Sequence, residues 1–161
     1  MFEESQPANP IQILTDLMNA LEDGRRGMAE LSRHLKSEST RQFFLREAQV
    51  RAEYAAHLQS EVGTPHGETG ETNGTVAGAF SRAWVDLLGQ LGVGDRAVLA
   101  AADRAEETTK QGYAAALMQA DLAPDLQGLL VRQQRHILQS HNKIRNLLQA
   151  KGRRKSKIRA A

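Results

Sequence analysis

The sequence predicts an all-α bundle of four long helices with a short extra helix in the long connection between the second and third. Three observations carry this. Apolar residues recur at spacings of three, four and seven along four separate stretches, capping residues stand where those stretches begin, and no stretch alternates as a half-buried strand would. A chain of 161 residues can bury a substantial core as one domain, since burial fractions near roughly 70% become reachable at this size.

Residues 1–9 lack periodicity and read as a disordered N-terminus. Asn9, Pro10 and Gln12 then supply an N-cap, a proline at the first helical position and a glutamine at N3. Leu14, Leu17, Met18, Leu21, Met28, Leu31 and Leu35 form one apolar face from there. Gly24 and Gly27 interrupt it, each at about 1 kcal/mol relative to alanine, in return for close approach by a neighbour. Ser39 with Gln42 reads as a capping box for a second helix running to about Val62, with Phe43, Phe44, Glu47, Val50, Tyr54, Leu58 and Val62 as its stripe.

The polar, glycine-rich segment 63–74 is long enough for a crossover. A short helix from Thr75 to about Leu91 follows, with Val76, Phe80, Trp84, Leu87, Leu88 and Leu91 on one side. Gly92 to Asp95 end it and cap the next helix, whose stripe is Val98, Ala102, Ala105, Thr109, Tyr113, Ala116 and Leu117. Pro124 opens the last, with Leu126, Leu130, Gln133, Ile137, His141, Ile144 and Leu148 in register. The bundle is expected to occupy residues 10–150.

Composition narrows the chemistry. The absence of cysteine rules out disulfides, thiolate metal sites and a cysteine nucleophile, and suits the cytoplasm. The acidic start lacks the basic region of a signal peptide, and the longest apolar run, Ala97 to Ala102, is far shorter than the ~20 residues of a membrane span. No glycine-flanked serine elbow or phosphate-binding glycine loop is present. Net charge is +2, yet Lys151, Arg153, Arg154, Lys155, Lys157 and Arg159 crowd into residues 151–161, leaving 15 basic against 19 acidic residues in the first 150. The expectation is an acidic body with a basic, mobile C-terminal tail.

The tract Gly74 to Leu87, together with Asp23-Gly24, Asp103 to Glu107 and His141 to Arg145, resembles the signature of a bacterial family of ferritin-like four-helix-bundle proteins of unknown function. The likeness spans roughly Ile11 to Leu148 in order and spacing. It implies a ferritin-like bundle, with association as a dimer, and imports no reaction. His57 stands where the family pattern carries an acidic residue.

Di-iron bundles draw one Glu from each of two helices and a Glu-x-x-His from each of the others, because i and i+3 share a face. That spacing occurs nowhere in this chain. Glu53 and His57 sit at the edge of a stripe, and Gln133 with His136 substitutes an amide for the carboxylate. The candidate metal ligands facing inward are Asp23, Glu47, Glu106 and His141, with Gln133 beside them. Two readings follow: a buried hydrogen-bonded network in which Glu106 or Gln133 satisfies His141, or a site for iron or another divalent metal. The former, with no cofactor, is the reading adopted.

The basic tail also has two readings. One is nucleic-acid contact, where each neutralised phosphate steepens the salt dependence of binding by about 0.9. The other is a solvated terminus that offsets the acidic body and complements the helix dipole. The sequence thus points to a non-catalytic, self-associating cytoplasmic bundle, against a metal-dependent oxidase or iron-storage protein and a DNA-associated stress protein.

Overall fold

The computed structural model describes residues 9–63, 86, 89, 94–119 and 121–160. These form four helices, α1 (Pro10–Ser32), α2 (Glu38–Val62), α3 (Asp95–Leu117) and α4 (Pro124–Arg159), and no strand occurs among the described residues. The N-terminal residues 1–8 and the expected short helix from Thr75 to Leu91 lie outside them, apart from Asp86 and Gly89, which are helical. No helix among the described residues is long and apolar enough to cross a membrane.

Helix α1 starts as its sequence dictates. Asn9 Oδ1 accepts the Ile11 N–H at 3.0 Å and Pro10 fills the first position, where a missing N–H costs nothing. The start of α2 differs from expectation: its cap is Ser37, two residues before Ser39. The Ser37 hydroxyl accepts the Thr40 N–H at 3.4 Å and the Thr40 hydroxyl at 3.0 Å. The cause is tertiary. Asp95, the first residue of α3, accepts the backbone N–H groups of Lys36 at 2.7 Å and Ser37 at 3.1 Å, so the turn after α1 is fixed before α2 begins.

Contacts between side chains set the topology. Leu17 of α1 lies against Gly112 of α3, while Gly27, Met28 and Leu31 meet Ala102 and Glu106, so α1 and α3 are antiparallel. Phe43 meets Lys143 and Tyr54 meets His136 and Gln133, which makes α2 and α4 antiparallel as well. Helices α2 and α3 therefore run in the same direction. Val62 packs at the Leu14 end of the bundle, whereas Asp95 sits at the Lys36 end, so the connection between them joins opposite ends.

Two apolar clusters fill the interior. One gathers Met28, Leu31, Leu35, Phe43, Phe44, Val98, Leu99 and Ile144, and the other Leu14, Leu17, Leu21, Leu58, Tyr113, Leu130 and Ile137. Each large aliphatic or aromatic side chain contributes about 1.5–3 kcal/mol by leaving water. Between the clusters lies a polar layer, and it holds Glu47, Glu106, Gln133 and His141.

The basic C-terminal stretch, expected as a tail beyond the bundle, is helical. Helix α4 continues through Lys151 to Arg159, well past the boundary at residue 150. Lys151 reaches Asp95 Oδ2 at 3.3 Å, and Gly152 packs beside Arg96, so α4 stays docked to the start of α3 as far as Gly152. Basic residues in a final helical turn are also favoured by the helix dipole.

Candidate functional site

The centre of the polar layer is Arg51 of α2, whose side chain is 0% exposed. Its Nη1 donates to the Glu47 carbonyl at 2.8 Å and to Glu47 Oε2 at 3.0 Å, one helical turn back. Its Nη2 stands 2.6 Å from Glu106 Oε1 of α3, within ion-pairing distance though outside hydrogen-bond geometry. One guanidinium therefore spans two buried carboxylates from two helices. A buried ion pair of this kind persists only where each charge meets an opposite one.

Glu47 is shared further. His136 Nε2 of α4 lies 3.2 Å from both of its carboxylate oxygens, and the His136 ring packs edge-on against Tyr54 with centroids 5.8 Å apart. A second ionic group lies nearby: His141 Nε2 is 2.6 Å from Asp103 Oδ1, and Arg145 donates to the same oxygen at 3.1 Å. Deeper toward the other cluster, the Tyr113 hydroxyl donates to Gln133 Oε1 at 2.9 Å, while Gln133 Nε2 donates to the Tyr54 carbonyl at 3.5 Å.

Burial pushes the Glu106 carboxyl above its ordinary range, and the opposing pull of Arg51 and His141 does not restore it. Burial likewise drives the Tyr113 hydroxyl far up, which keeps it a neutral donor. Glu106 Oε2 and Arg51 Nε have no hydrogen-bond partner among the described residues. A cavity of about 10 Å³ borders Glu106, lined also by Gly24, Gly27, Met28 and Ala102, which is space for about one water molecule.

The expected inward residues divide accordingly. Glu47, Glu106, Gln133 and His141 are buried in the polar layer, but Asp23 is exposed and takes no part in it. It is Gly24, the next residue, that faces inward and makes room for Arg51. His141 is held by Asp103 and not by Glu106 or Gln133, since Asp103 lies one turn earlier on the same face of α3 and Arg51 already engages Glu106. His57 and Glu53 are exposed.

Sequence reasoning missed Arg51 altogether, because hydropathy favours Val50 for the buried position. The signal was nonetheless present: Phe44, Glu47, Arg51, Tyr54 and Leu58 repeat at three and four, and a glutamate one turn before an arginine is a ready ion pair.

An iron pair does not fit this donor set as built. Among the described residues no three His, Asp or Glu side chains converge as a metal site requires, and the two central carboxylates already face the Arg51 cation. The arrangement can neutralise charge and fix helix register.

No curated protein matches the chain. The family described as Domain of unknown function (DUF2383) matches residues 9–119, a span that takes in α1, α2 and α3 with Glu47, Arg51, Asp103 and Glu106. The chain therefore belongs to this family of unknown function.

Proposed function

We propose that the protein is a non-catalytic, ferritin-like bundle that self-associates, and that its polar layer serves packing specificity in place of metal chemistry. The observation that carries this is Arg51 between Glu47 and Glu106. In a metal-dependent bundle the carboxylates of facing helices gather around a cation supplied from solution. Here the chain supplies the cation itself, covalently and without exposure to solvent. The antiparallel neighbours, and a connection that joins opposite ends of the bundle, support the ferritin-like reading. Large apolar side chains left on the outside, Leu45, Val131 and Leu138, favour contact with a second copy.

The test is metal content by mass spectrometry on untagged protein, before and after anaerobic loading with ferrous iron. The expected result is no stoichiometric metal after buffer exchange. One or two tightly retained ions per chain would overturn the non-metal reading. Sedimentation at micromolar concentration tests association separately: a dimer is expected, and a strict monomer refutes that part alone.

A further inference from the structure

We propose that the C-terminal extension of α4 is a rigid arm that binds duplex nucleic acid through its phosphates. Arg153, Arg154, Lys155, Lys157 and Arg159 are all exposed on this helix, and none pairs with a carboxylate among the described residues. Lys151, by contrast, is held by Asp95, and that contact marks the end of the bundle: Asp95 also binds the turn between α1 and α2. From Arg153 onward the helix rises about 10 Å beyond that end at ~1.5 Å per residue.

At about 100° per residue the five free cations point in every direction around the axis. They exceed what the helix dipole needs, since that effect fades within the last turn. Exposed Lys36 and Arg96 add positive charge at the arm's root.

The pattern selects among polyanions. An anionic membrane favours a helix with an apolar stripe to insert, and this arm has a single large apolar residue, Ile158, 78% exposed. Single strands are gripped by aromatic side chains on which bases stack, and residues 151–161 include none. A helix about 10–12 Å across, cationic on all sides, suits the B-form major groove, about 12 Å wide and walled by phosphates on both sides. With five or six phosphates neutralised, the slope of log affinity against log salt is about −5, and binding is independent of base sequence.

The experiment is fluorescence anisotropy of a labelled duplex of about 30 base pairs titrated with the full chain. Affinity is expected to fall by roughly a thousandfold between 50 and 200 mM salt. A variant carrying Arg153→Gln, Arg154→Gln, Lys155→Gln, Lys157→Gln and Arg159→Gln keeps helix-forming side chains, and is expected to melt like the parent while losing at least tenfold in affinity at low salt. Absence of binding at 50 mM salt, or equal affinity in the variant, overturns the proposal. So does preferential binding to single strands, or to phosphatidylserine vesicles over duplex at matched charge.

Discussion

A β-carbon on Gly24 would fall 3.0 Å from Cδ and 3.2 Å from Nε of Arg51. The guanidinium can lie between α1, α2 and α3 only because α1 presents bare backbone at that point. Arg51 cannot yield, being clamped by carboxylates on two helices.

Gly24→Ala is therefore expected to destabilise the fold by about 1–2 kcal/mol, the strain of overpacking exceeding the gain in helix propensity. Gly128→Ala in α4 is the contrast, since its β-carbon would meet only the mobile end of Arg132 at 3.4 Å. That change should stabilise by about 0.5–1 kcal/mol. Urea denaturation of both variants checks the pair, and equal effects would sink the explanation.

Arg51→Met should cost about 3–5 kcal/mol, because it leaves Glu47 and Glu106 buried without their cation. Adding Glu106→Gln to it removes one of the stranded charges, so the double variant is expected to be more stable than Arg51→Met alone. A double-mutant cycle measures this directly, and additive losses would mean that the two residues do not act as a pair.

The two buried carboxylates of α3, Asp95 at its start and Glu106 at its middle, should bend the pH dependence of stability in opposite senses. Burial pushes Asp95 up, but the Lys36 and Ser37 N–H groups and Lys151 outweigh it and hold the carboxyl below its ordinary 3.8. Its contribution is complete above that value and is lost as pH falls through the native one. Glu106, raised from 4.5, contributes fully below that value and loses its contribution as pH rises through the native one. Asp95→Asn should thus flatten the acid limb at a cost of about 1–3 kcal/mol near neutrality, and Glu106→Gln should remove the decline above pH 4.5. Denaturation midpoints collected against pH test both signs.

Removal of residues 153–161 should leave the melting temperature within about 1 °C, because no described ion pair or core contact involves them. Truncation after Ala150 also removes the Lys151 contact with Asp95, and a further loss of up to about 1 kcal/mol is expected. Differential scanning calorimetry distinguishes the two cuts.

The stripes of α1 and α4 were legible in the sequence, because leucine and isoleucine at helical spacing admit one buried face. The polar layer was legible only in part. Glu47, Glu106, Gln133 and His141 fall on their stripes and are buried. Arg51 was hidden because charge argues for exposure unless its partners are known, and one of them, Glu106, is 55 positions away in the chain. Ser37 replaces Ser39 as the cap because Asp95, again a residue distant in sequence, fixes the turn before α2. The extent of α4 was not legible past residue 150 because a short, polar, basic terminus carries no apolar stripe, yet the helix continues and Gly152 lies close to Arg96.

The parallel course of α2 and α3 divides the described helices into two hairpins, and the contacts of Arg51 with Glu106 and of Glu47 with His136 lie across their seam. The first hairpin brings Glu47 and Arg51, while the second brings Glu106 and His136. Arg51 of the first meets Glu106 of the second, and Glu47 of the first meets His136 of the second, so each half answers a charged group of the other. Mutual recognition of the two halves thus draws on these side chains as well as on the apolar faces.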